Sequence, residues 1–134
     1  MNTPLKVPPP QRDLPGVLEK TKTVYIIWHK IHTILPQVNR YTLGNRIDKL
    51  FIEIIEHVAT AAFVSKAEKS PYLKVSIRKL DSLKILLLVL WEVKSIDNEK
   101  YINLSLPLDE IGKMLGGWYN QTLKQNSPGL AGEK

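Results

Sequence analysis

The chain has 134 residues, 43% of them hydrophobic and 24% charged, a balance that supports one folded domain with a single core and argues against wholesale disorder. Nineteen lysines and arginines against thirteen acids give +6, with a pI near 9.5, which favours polyanionic partners over acidic or neutral ones. With no cysteine, disulfide frameworks, thiolate metal sites and cysteine nucleophiles are excluded.

The N-terminus, MNTPLKVPPPQRDLP, lacks the apolar core of a signal peptide. Its prolines, Pro4, Pro8, Pro9 and Pro10, forbid a continuous helix, so residues 1–13 read as a flexible lead-in. Helical periodicity then dominates residues 14–125. The first stripe is Val17, Thr21, Val24, Trp28, Ile31 and Leu35, and Pro36 stops it. A second helix is predicted to open at Thr42 as N-cap, with the stripe Leu43, Ile47, Leu50, Ile54 and Ala61 widened by Phe51, Ile55, Val58 and Ala62. Ser70 as cap and Pro71 in the first helical position announce the third, whose stripe is Leu73, Ile77, Leu80, Leu83, Leu87 and Leu90. After a turn near Asp97 and Asn98 the fourth stripe runs Tyr101, Leu104, Leu108, Ile111, Leu115, Trp118 and Thr122. Pro107 interrupts that helix without breaking its phase, which predicts a bend. The segment 126–134, with Ser127, Pro128, Gly129 and Gly132, reads as a disordered tail.

Four helices of roughly 20–26 residues would each be about 30–39 Å long. Matched lengths and short connections predict an all-α, up-down-up-down antiparallel four-helix bundle. Residues 85–91, ILLLVLW, wrap nearly two turns with no polar face, so either the termini or a second subunit must cover what one bundle leaves open; a second subunit is favoured. This longest apolar run is too short to span a bilayer, and a soluble cytoplasmic protein without a membrane partner is expected.

Motifs for catalysis are missing: there is no GxSxG elbow, Walker loop or GxGxxG turn. The carboxylate pairs Glu53 and Glu56, and Asp109 and Glu110, fit solvated helix faces better than an acid and base pair. His29 and His32 lie on neighbouring turns but lack the i, i+4 spacing and further ligand of a zinc helix, and His57 sits beside an apolar stripe. No enzyme activity, metal or cofactor is expected. The basic residues are more informative. Lys74 and Arg78 are i, i+4 neighbours with Lys79 beside them, Lys84 falls in the apolar middle of the third helix, and Arg40, Arg46 and Lys49 cluster early in the second, with Lys22 and Lys30 on the first. Such spacings can meet successive phosphates, although scattered solvated charge explains them as well. Gly112 and Gly116 share one face of the fourth helix, and their cost of roughly 1 kcal/mol each implies close approach of another helix or subunit.

Two segments, RYTLGNRI at residues 40–47 and DEIGKMLGGW at 109–118, resemble the accessory variability determinant (Avd) proteins of diversity-generating retroelements. They also resemble the wider four-helix family that includes proteins encoded in intervening sequences of bacterial large-subunit ribosomal RNA genes. The likeness runs from about residue 17 to 121. It implies a ring-like homopentamer with a basic surface that binds a reverse transcriptase and its RNA or DNA, supporting mutagenic copying without catalysing it. Within it, Lys84 matches the first of two basic positions on the third helix; the second is Leu88 here, a departure, as is Pro107. Arg46 matches the arginine of the first motif and Lys113 the basic position of the second. The expected partner surface is therefore Lys84, Arg78, Lys74, Lys79, Arg46, Lys49, Arg40 and Lys113, and the expected oligomer interface Leu88, Trp91, Gly112, Gly116 and Trp118. The alternative is an oligomeric structural protein of the intervening-sequence type with no reverse transcriptase partner.

Overall fold

A computed structural model describes residues 14–126, and all its regular structure is helical. The expected flexibility of residues 1–13 and of residues 127–134 lies outside the described residues; Asn126, placed in the tail by sequence, is the C-cap of the last helix. Four long helices carry the fold: α1 Gly16–Thr33, α2 Asn45–Phe63, α3 Lys69–Glu92 and α4 Asn98–Gln125. Each packs on its chain neighbours and α4 packs back on α1. One hydrophobic core results, centred on Trp28, Phe51, Leu83, Leu104 and Ile111, all with no exposed surface. No helix among the described residues is long and apolar enough to cross a membrane.

The predicted stripes map onto this core with few exceptions. In α1, Val17, Thr21, Val24, Trp28 and Ile31 are buried, and the Thr21 hydroxyl donates back to Val17 O at 2.7 Å, so its polar atom is satisfied. In α3, Ser76 takes the fully buried place expected of Ile77. Its hydroxyl is neutralised by a 2.9 Å bond to Tyr72 O, and Ile77 turns half-exposed toward α4.

Helix starts differ from the prediction in two places. Pro36 ends α1 as expected, but its extended ψ then opens a turn at Gln37–Asn39 that continues through a wide π turn, Arg40–Gly44, into α2. Thr42 is therefore already inside helical backbone, where its hydroxyl bonds back to Val38 O at 3.4 Å instead of capping. Likewise a 3₁₀ turn, Lys66–Glu68, precedes α3, which begins at Lys69, so Ser70 caps nothing. Pro71 still falls in the first turn, where a missing N–H forfeits no intrahelical bond.

Helix ends are secured by specific contacts. The Lys69 ammonium donates to Ala61 O at 2.6 Å and Val64 O at 2.9 Å, closing the C-terminus of α2. At the end of α3, Ser95 N–H bonds Leu90 O and Lys94 N–H bonds Trp91 O, the paired pattern of a Schellman turn. Its left-handed position, φ 67°, is held by Lys94 where glycine is usual. Asp97 then caps α4, accepting from the Lys100 N–H at 2.9 Å. The α4 helix is undivided through Pro107.

Candidate nucleic-acid interface

The basic residues singled out by sequence separate into three groups with different surroundings. Arg40 is structural: its Nε and Nη2 donate to Leu35 O at 3.1 and 2.8 Å, tying the π turn to the end of α1. Lys79 is also committed, since its ammonium lies 3.0 Å from Glu53 Oε1 and joins α3 to α2. That bond holds the Glu53 carboxyl below the usual range, helped by the charges of Lys49 and Arg46 against a smaller opposing effect of burial. Arg46 and Lys49 are exposed, but they share the field of this acid.

Lys84 reaches across to α4 and pairs with Asp109 at 2.8 Å. The pair bridges a groove between α3 and α4. On one side the groove is lined by Leu87, Tyr101, Ser105 and Leu108, and on the other by Ile77, Leu80, Asp81, Gly112 and Lys113. Two lysines and two aspartates meet there, so Lys84 sits in a nearly neutral setting. Both partners are more than a third exposed, with side-chain exposures of 37% and 52%, which keeps the pair weak.

The third group is the one available to a polyanion. Lys74, Arg78 and Lys113 are exposed and make no ion pair among the described residues. Lys74 and Arg78 stand one turn apart on α3 and Lys113 rises from α4 at the groove edge beside Ile77 and Asp81. A helical surface with cations at this spacing meets phosphate oxygens without reading base edges.

The residues expected at an oligomer interface are likewise dispersed. Gly112 faces the bundle, where an added Cβ would lie 3.4 Å from Leu80 Cδ2, so the close approach it permits is within the chain. Gly116 and Gly117 have nothing within 4 Å of an added Cβ. Trp118 is half-buried, with the Lys69 ammonium 5.9 Å above its ring. Leu88 is half-buried, and within 85–91 only Leu87 and Leu90 are buried while Ile85 is 59% exposed. Ile102 and Leu106 of α4 are also exposed, so α3 and α4 each leave apolar side chains uncovered in one chain.

Two features escaped the sequence reading. Asp48 Oδ1 gathers the Tyr25 hydroxyl at 2.8 Å and the Trp28 indole N–H at 3.2 Å, with His32 Nδ1 at 3.8 Å, making a polar clasp between α1 and α2. Burial, then this bond and the Asp48 charge, push the Tyr25 hydroxyl from its ordinary 10.0 to about 12. His32 is stacked on Trp28 and sets Nε2 3.2 Å from Arg40 O, while His29 lies beside Tyr25 and His57 bonds Glu53 O at 2.7 Å. Among the described residues no group of histidines and carboxylates could hold a metal ion. The second feature is a cleft of about 700 Å³ where the end of α1, the α3–α4 turn and the start of α4 meet. Ile31, Ile34, Leu35, Trp91 and Ile96 make its apolar lining. In the sequence only Trp91, closing an apolar run just before a turn, could have hinted at it.

Compared with known proteins, the chain matches no protein-family model and no curated sequence.

Proposed function

We propose that this chain is a non-catalytic accessory subunit of the Avd type, an antiparallel four-helix bundle that assembles as a ring-like homopentamer and holds RNA or DNA beside a reverse transcriptase in the cytoplasm. The observation that carries the reading is the exposed, unpaired triad Lys74, Arg78 and Lys113 on the α3–α4 side. Cross-helix pairs Lys79–Glu53 and Lys84–Asp109, with short connections between the helices, support the up-down-up-down course. Support for assembly comes from the exposed apolar side chains of Ile85, Ile102 and Leu106 and from the open space over Gly116 and Gly117. Five copies at +6 each would carry about +30, enough to hold nucleic acid through phosphates alone, whereas one copy binds weakly at physiological salt.

The test is charge reversal at the triad. Lys74→Glu, Arg78→Glu and Lys113→Glu together are expected to lower duplex affinity and to flatten its salt dependence by about 0.9 in log–log slope for each phosphate no longer engaged. Unchanged affinity and slope in a folded variant would refute this surface. Co-purification with the reverse transcriptase tests the partner: a folded oligomer that never retains it, even with template RNA present, refutes the retroelement role.

A further inference from the structure

The cleft at the α3–α4 turn differs from the basic surface in being concave and mostly apolar. Its volume, about 700 Å³, lies in the range of small-molecule sites. Ile31, Leu35 and Ile96 are buried and leave side-chain surface toward the cleft, and Ile34 is exposed beside them. The Trp91 indole lines it in a fixed orientation: its N–H donates to Asn98 Oδ1 at 2.6 Å and its ring is stacked on Tyr101 at 5.5 Å. An immobilised aromatic wall loses little freedom when a flat ring is laid against it.

Polar groups stand along the rim. Lys94 lines the cleft and its ammonium makes no ion pair or hydrogen bond among the described residues. Its backbone is left-handed, a conformation that costs a side-chain-bearing residue more than glycine, yet a lysine occupies it. Lys100 lines the cleft too, with Asp97 at 3.6 Å, and Asp97 is itself engaged in capping α4. Glu92 and Asp97 are the opposing charges in the lining, and with Asp97 turned to Lys100 and the α4 cap, Lys94 is the ammonium left open. A ligand that suits this arrangement has a planar aromatic part for the apolar wall and an anionic part for the ammonium groups.

We infer that the cleft lined by Trp91, Lys94 and Lys100 binds a nucleotide unit, its base against Trp91 and its phosphate at Lys94 and Lys100. This rests on the nucleic-acid reading above for its biological setting, but it concerns a different surface, since none of Lys74, Arg78 and Lys113 lines the cleft. The nucleotide can be free or an unpaired residue of a strand, because base stacking on an aromatic side chain is tolerant of sequence.

The experiment is calorimetric titration of the full chain with adenosine 5′-monophosphate and, separately, with a single-stranded deoxyadenosine ten-mer. One saturable site per chain is expected for the mononucleotide. Lys94→Gly is the decisive variant, because glycine suits the left-handed position while the ammonium is removed. It is expected to melt no lower than the native protein and to bind the mononucleotide about five- to tenfold more weakly. Trp91→Leu is expected to weaken binding about tenfold or more, and Glu92→Gln to tighten it severalfold. Competition between ten-mer and mononucleotide identifies an unpaired base of a strand as the source; binding of the mononucleotide alone identifies a free nucleotide; either result supports the site. Absence of mononucleotide binding, or equal binding by Lys94→Gly, overturns it. So does binding of an apolar dye in its place. Failure of the triple reversal on α3 and α4 would strike the polynucleotide surface and leave this cleft standing.

Discussion

Replacing both Gly116 and Gly117 with alanine separates what one chain needs from what an assembly needs. Both lie well inside α4, two turns or more from its end at Gln125. A glycine in such a position costs about 1 kcal/mol relative to alanine, from backbone entropy. Nothing lies within 4 Å of the methyl that alanine would add at either site, so no packing term opposes the gain. The double variant is therefore expected to be about 2 kcal/mol more stable per isolated chain, which for a domain of this size raises Tm by about 8 °C. The assay is thermal unfolding followed by circular dichroism, paired with sedimentation velocity on the same samples. If neighbouring copies pack on this stretch, the two methyls fill the space they use, and the variant sediments as smaller species while its chains gain stability. A variant that stays monomeric throughout and melts lower than the native protein would refute the reasoning, because it would mean that α4 is not regular or not open there.

Gly44→Ala should do the opposite. Its Cβ would meet His32 Cδ2 at 2.9 Å and Leu35 Cδ1 at 3.0 Å, so the π turn or the His32 and Leu35 side chains must shift, and a loss of about 1–3 kcal/mol is expected in urea unfolding. Tyr25 should ionise near pH 12 when absorbance is followed upward in pH, as the difference between the native protein and Tyr25→Phe. Its raised pKa means that the stability it contributes is complete below 10 and is lost between 10 and about 12, and Tyr25→Phe should remove that part of the alkaline loss. For Glu53 the sign is reversed: its lowered pKa supplies stability above the ordinary carboxylate range that disappears as pH falls through the lowered value. Lys79→Met should flatten that acid limb, and an unchanged limb would contradict the pairing. Lys84→Glu sets like charges across the groove, and Lys84→Glu with Asp109→Lys restores an opposite-charge pair at the net charge of the native protein. Recovery of partner binding in the swap marks Lys84 as a strut of the groove, whereas continued loss marks it as a direct contact.

Most of the fold was legible in the sequence because helices bury every third or fourth residue, and Trp28, Ile54, Leu83 and Ile111 declare that period without ambiguity. What the sequence concealed arises from interactions between residues distant along the chain. Thr42 looks like a cap, but the π turn that absorbs it depends on Gly44 nesting against His32 twelve residues earlier. Ser70 and Pro71 form a familiar start signal, yet the 3₁₀ turn at Lys66–Glu68 advances the helix by two residues, and Asn126 anchors that turn through a 2.8 Å bond to Lys66 O. In the candidate surface, spacing could find Lys74 and Arg78 but could not distinguish them from Lys79, whose partner Glu53 stands on another helix. Part of both motifs is likewise structural: Arg40 and Gly44 shape the entry to α2, and Gly112 lets Leu80 close on α4.

The central claim is that a helical scaffold grips nucleic acid through phosphates, by charge collected over several copies. It is tested most directly by measuring duplex affinity of the native protein across a series of salt concentrations, with its state of assembly followed in the same buffers. The account predicts a linear fall of log affinity against log salt, with a slope near −0.9 for each phosphate engaged, in material that sediments as an oligomer. A monomer that binds no duplex at low salt, or an affinity indifferent to salt, would contradict it.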